Sequence, residues 1–137
     1  MKKKIVVIDG MGGGMGAQII ERLRAEAGKS LEIIALGTNA GATERMMKAG
    51  ADKGATGENA VTVSASLGDF ILGPVGIVIP DSMMGEITAP MAQAVLRAPG
   101  ERILLPLQND HFTLAGIEPR PLAAVIADAV ELVKARR

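Results

Sequence analysis

Apolar positions along the chain alternate between two periods. Lys4 to Ile8 is an unbroken β-branched run with no polar face, which predicts a central strand covered on both sides. After a glycine-rich stretch, Ala17 to Ala27 places Ile19, Ile20 and Leu23 on one helical face, and Gly28 is a stop signal. Leu31 to Leu36 predicts a second buried strand, and Gly37-Thr38-Asn39 leads into a helix from Ala40 to Lys48 with Met46 and Met47 inward. Lys53 to Ala55 predicts a brief third strand. Ala60 to Leu67 reads as helix, against two Val and one Thr that favour a strand. Asp69 to Leu72 and Gly76 to Ile79 are both strand-like, and the pattern does not choose between them. Thr88 then caps a helix with Pro90 in its first turn and Met91 and Val95 on one face, and Arg102 to Leu107 is the next strand. The closing helix carries Leu122, Val125, Ile126, Ala129, Val130 and Val133 on one stripe, between Pro121 and a basic end at Lys134, Arg136 and Arg137. Strands alternating with helices require crossover connections, so the chain predicts one α/β domain over residues 1–137. A mostly parallel sheet of about five strands, with helices on both faces, follows from it.

Composition narrows the function classes. Fifteen Lys plus Arg balance fifteen Asp plus Glu, and there are two Phe, no Trp and no Tyr. Neither the charge excess nor the stacking surface for nucleic acid is present, so no nucleic-acid partner is expected. The absence of Cys removes thiolate metal sites, disulfides and Cys nucleophiles together. The opening Met1 to Asp9 has only four apolar residues before its aspartate, short of a secretory core, and Phe70 to Pro80 is broken by Gly73, Pro74 and Gly76. A cytoplasmic protein with no membrane partner is the expectation. Seventeen glycines, about 12% of the chain, have no repeat period and act as punctuation.

The densest of them form Asp9-Gly10-Met11-Gly12-Gly13-Gly14-Met15-Gly16, between a predicted strand and a predicted helix. Glycines at such a turn admit close backbone approach, and the free amides and positive end of the following helix attract an anion. Gly12 to Ala17 reads as G-x-G-x-x-A and Gly10 to Gly16 as G-x-x-x-G-x-G, both dinucleotide-type fingerprints, so the sandwich is expected to be Rossmann-like. A tight turn serving only strand–helix packing is the competing explanation. No Gly-Lys-Ser/Thr follows, which removes the ATPase P-loop. The acidic residue expected about 20 residues on, at the end of strand two, is replaced by Gly37-Thr38-Asn39, and Glu32 lies at the wrong end of that strand. Thr38 and Asn39 offer hydrogen bonds to a ribose or a 2′-phosphate, with Arg45 near them. NAD and NADP both stay open as cofactors.

Asp9, Thr38-Asn39, Glu58-Asn59, Asp81-Ser82 and Gln108-Asn109-Asp110-His111 each follow a predicted strand, so a parallel sheet gathers most of them at its carboxyl edge, where such sheets bind ligands. Thr56, Asp81, Ser82 and Thr88 are equally suited to capping helices. The expected binding set is Asp9, Gly10, Gly12, Gly13, Gly14, Met15, Gly16, Gly37, Thr38, Asn39, Glu58, Asn59, Asp81 and Ser82. Acid–base work would fall to Asp9, Glu58, Asp81, Glu86 or the single His111, with Glu58 and Asp81 as first candidates. A carboxylate Mg²⁺ site drawing on Asp9, Glu58 or Asp81 stays open, whereas a two-His site is impossible in one chain. The methionines at 11, 15, 46, 47, 83 and 84 are core gap-fillers or subunit contacts.

Asp9 to Gly16, Ala35 to Ala40, Gly54 to Ala60 and Asp81 to Thr88, in this order, resemble a bacterial family known as domain of unknown function 3842, over nearly the whole chain. The resemblance implies no mechanism, but its blocks are the segments placed at the carboxyl edge. The glycine loop is also similar to that of short-chain dehydrogenases over the first half. Their catalytic Tyr has no counterpart here, so their hydride chemistry does not carry over. Three functions follow: binding of a nucleotide, dinucleotide or phosphorylated metabolite at the glycine loop; a small enzyme on such a ligand with Glu58 or Asp81 as acid or base; or an assembly protein with no small ligand. A homodimer is expected, because a largely apolar chain with a small sheet leaves surface to cover.

Overall fold

A computed structural model describes residues 1–107 and 112–136. Five strands, β1 (Lys3–Asp9), β2 (Leu31–Gly37), β3 (Lys53–Thr56), β4 (Phe70–Pro74) and β5 (Glu101–Leu105), form one all-parallel sheet in the order β3-β2-β1-β4-β5. Five helices alternate with them: α1 (Gly14–Ala27), α2 (Ala40–Lys48), α3 (Glu58–Ser64), α4 (Ala89–Arg97) and α5 (Leu122–Arg136). The expected Rossmann-like architecture is the one observed.

Strand side chains alternate faces, so a strand covered on both sides carries no polar interior position. In β1, Ile5 and Val7 join Ile19, Ile20 and Leu23 of α1 and Ile126, Val130 and Val133 of α5 in one core layer. Val6 and Ile8 point the other way, into a second layer with Val61 of α3 and Met91 and Val95 of α4. Residues Ile5 to Ile8 are wholly inaccessible to solvent, which accounts for the unbroken apolar run.

Several boundaries differ from those read in the sequence. Helix α1 opens at Gly14 rather than Ala17, so Gly14, Met15 and Gly16 of the glycine stretch are helical turn. Of the two strand-like segments after residue 68, Phe70–Pro74 is the sheet strand. The strand-like segment Gly76 to Ile79 forms no strand, since Val75–Val78 is a 3-10 turn with Ile79 at its end: Pro74 ends the ladder, and Ile77 is buried under α4 instead of in the sheet. The helical reading of Ala60 to Leu67 is right in kind, but α3 starts at Glu58 and tightens to 3-10 over Ala65–Leu67. No helix among the described residues is long and apolar enough to cross a membrane. Gln108-Asn109-Asp110-His111 and Arg137 lie outside the described residues.

Candidate functional site

The chain runs outward from β1 to β2 and β3, then returns to the other side of β1 for β4, so the sheet's switch point lies between the carboxyl ends of β1 and β4. Open α/β sheets bind ligands in the crevice such a reversal leaves. A cleft of about 290 Å³ occupies it, lined by Asp9 to Met15 from the β1 side, Pro74 to Gly76 after β4, Ser82, Met83, and Leu107 beyond β5.

The glycines of the loop divide into two kinds. A Cβ on Gly10 would meet Met83 Sδ at 2.8 Å and Glu86 Oε1 at 2.9 Å; on Gly13, which has φ of 74°, it would meet the Ala42 backbone at 2.7 Å; on Gly16, Met46 Sδ at 2.5 Å and Asp9 Cβ at 2.9 Å. The fold itself demands those three. Gly12 and Gly14 are different: a Cβ there would approach only the flexible end of Arg45, whose Nη1 is 3.9 Å from one position and 3.2 Å from the other. Neither has a left-handed φ.

The loop amides are not all open to a guest. Asp9, the last residue of β1, is 5% exposed and turns its carboxylate back under the loop, accepting from Gly10 N at 2.8 Å and Gly16 N at 2.7 Å. Burial pushes its carboxyl above the ordinary value; bonds from the Gly16, Gly10 and Met15 amides pull it down again, and the charge of Glu86 adds to the rise. The protein's own anion therefore sits where the glycine pattern alone would place a phosphate. Glu86 occupies a further donor, since its Oε1 accepts from Met11 N at 2.9 Å, Asn39 Nδ2 at 3.0 Å and the Thr38 hydroxyl. Burial opposes the charge on Glu86, but the Thr38, Met11 and Asn39 bonds outweigh it and hold the carboxyl below its usual value. The amides of Gly12 and Gly14 find no acceptor among the described residues, and Arg45 beside them is exposed and enters no ion pair among those residues.

The structure brings Asp9, Gly10, Gly12, Gly13, Gly14, Met15 and Ser82 together around the cleft. Ser82 is buried and donates to the Gly76 carbonyl at 2.5 Å. Gly16 stands behind the loop, bonded to Asp9, and Gly37 ends β2, packed so tightly that a Cβ would meet the Thr43 amide at 2.7 Å. Thr38 and Asn39 lie across the loop from the cleft and are bound to Glu86; Asn39 also caps α2 through Ala42 N at 2.9 Å. Glu58 and Asn59 are exposed in the first turn of α3, beyond the edge strand β3 and two strands from β1. Asp81 is exposed on a turn with φ of 69°, outside the cleft lining. Among the described residues no three acidic or His side chains gather as metal ligands, so Asp9, Glu58 and Asp81 form no common site. Glu32 pairs with Lys53 at 3.0 Å, a surface contact.

In the sequence Glu86 stands out only as one of several acid–base candidates, and Arg45 only as a neighbour of Thr38 and Asn39. Arg45 stands in the second turn of α2 and Glu86 forty-eight residues after Thr38, so no local spacing links either to the loop. A larger cavity of about 710 Å³ lies between residues 106–107 and 112–120 on one side and α5 on the other, walled by Leu107, Phe112, Ile117 and Val125, with Arg120 and Asp128 paired at 2.5 Å. It meets the switch-point cleft only at Leu107.

The family model described as Domain of unknown function (DUF3842) matches residues 4–137, which takes in the sheet from Lys4 onward, the glycine loop and the Glu86 segment. The chain belongs to the DUF3842 family. No curated protein matches it. Three of the four blocks read as characteristic of DUF3842 hold Asp9, Thr38, Asn39 and Glu86, the residues whose bonds tie the loop to the ends of β1 and β2.

Proposed function

We propose that the protein binds a nucleotide, dinucleotide or other phosphorylated metabolite at the switch-point cleft, with a phosphate held by the Gly12 and Gly14 amides and the Arg45 guanidinium. One observation carries this reading: Gly12 and Gly14 are glycines that the packing does not require, their amides lack acceptors among the described residues, and a cation stands within 4 Å of where their side chains would be. Amides at the start of a helix, together with a guanidinium, are a strong anion-binding combination. Asp9 and Glu86 confine that site to the outer part of the loop, so recognition is narrower than the glycine pattern alone implies. The acid–base alternative is less well supported, because the carboxylate in the cleft is Asp9, both of whose oxygens are bound to loop amides. Glu58 and Asp81 stand outside the lining.

Thermal shift with NAD, NADP, ATP, GTP, coenzyme A and inorganic phosphate tests the reading. A ligand at 100 times its dissociation constant adds about 2.7 kcal/mol of stability. Gly14→Val should abolish the response while the protein still folds, and Arg45→Ala should weaken it at least tenfold. Silence toward every phosphate-bearing compound would overturn the proposal in favour of an assembly role.

A further inference from the structure

Glu86 is bound on one side only. Its Oε1 receives three donors from the β1 loop and the end of β2, whereas Oε2 accepts nothing among the described residues. The carboxylate is also fixed from behind: Glu86 N donates to Met83 O at 3.1 Å, Ile87 N to Ser82 O at 3.2 Å and Asp81 N to Ile87 O at 2.7 Å. A half-exposed carboxylate held this firmly is a preorganised acceptor with one oxygen to offer. Its position gives that oxygen a use. Oε1 lies 2.9 Å from where a Gly10 side chain would begin, flush against the glycine loop and beside Thr38, the residue after β2. A ligand whose phosphate rests on such a loop carries its ribose toward the end of β2, and there the chain's own strand provides no acid.

We propose that Glu86 Oε2 accepts the hydroxyls of a ligand's ribose, which makes the ligand a ribonucleotide without a 2′-phosphate. The acceptor arrives from the far side of the switch point, from the segment after β4 instead of from β2. The inference rests on the phosphate site proposed above. A brace between loops would need only Oε1, an acceptor that a glutamine side chain at this position keeps; a ribose acceptor needs the second oxygen as an acceptor, and an amide nitrogen there inverts its polarity. A fixed negative charge at the same point also repels a 2′-phosphate.

Isothermal titration of the full chain with NAD, NADP, ATP, 2′,3′-dideoxy-ATP and inorganic phosphate reads both parts separately. The wild type should bind NAD at least tenfold more tightly than NADP, or ATP at least tenfold more tightly than its dideoxy analogue. Glu86→Gln should fold, by circular dichroism, and bring those ratios to within about twofold of unity while inorganic phosphate binds unchanged. The wild-type ratios stand alone as a test should the variant not fold. Equal affinity within both pairs, with phosphate binding intact, overturns the role of Glu86 and leaves the phosphate site standing. No binding of any compound overturns both.

Discussion

At the scale of single residues, Gly16 and Gly12 separate packing from ligand space. Gly16→Ala drives a methyl group into Met46 and Asp9 in a dense interior, and overpacking of that kind costs about 1–3 kcal/mol. Gly12→Ala has open room and should leave the denaturation midpoint nearly unmoved, so urea titration of the two variants distinguishes the two kinds of glycine. Asp9→Ala orphans the Gly10 and Gly16 amides in a buried setting, a loss of about 1–3 kcal/mol partly offset by removing a carboxylate that burial disfavours. The two carboxyls respond to pH in opposite senses. Asp9 holds its proton more tightly folded than unfolded, so its stabilising contribution is complete below its ordinary value of 3.8 and is lost as pH rises through the higher folded value. Glu86 is the reverse: its contribution is complete above 4.5 and is lost as pH falls through its lower folded value. The melting temperature of wild type should therefore exceed that of Glu86→Gln at neutral pH, with the gap closing in acid. A gap that persists below pH ~3 would assign it to something other than the charge.

At the scale of elements, hydrophobic period was a sound guide wherever one principle acted alone. Ile5 to Ile8, with no polar member, left little choice but a central strand, and the stripe from Leu122 to Val133 left little choice but a helix. Period alone misleads where glycine or proline serves two ends. Gly14 and Gly16 look like loop because glycine weakens helices, yet they form the first turn of α1, where close approach of Met46 and Asp9 excludes any side chain at Gly16. Val75 to Val78 has strand composition, but Pro74 removes the backbone donor that would continue the ladder. Thr88 was legible because its role is local: it accepts from Met91 N at 3.4 Å to cap α4. Thr88→Ala should cost about 1 kcal/mol in chemical denaturation, and an unchanged midpoint would show that α4 is held by packing alone.

For the whole molecule, alternation of elements fixed the class, whereas strand order depends on contacts between distant segments and has no local signature. The cleft shares this property. Asp9 and the glycines were readable because they adjoin in sequence; Met83 and Leu107 join them only through the return of the chain past β1, and Glu86 reaches the loop by the same route. The homodimer proposed from composition has candidate surface in Val63, Leu67 and Leu96, exposed apolar residues on α3, on the 3-10 turn that follows it and on the neighbouring α4. Light scattering should give twice 14.1 kDa, falling to 14.1 kDa with Leu96→Glu; a monomeric wild type would remove the dimer.

The central place of β1 also has a consequence during synthesis. This strand leaves the ribosome ahead of the other four, and β2 can cover one of its sides soon after through α1. The opposite side pairs only with Phe70–Pro74, so about sixty residues must be translated while a row of Ile and Val stands with open peptide groups. Until β4 emerges, the nascent chain offers the kind of sticky edge that chaperones shield.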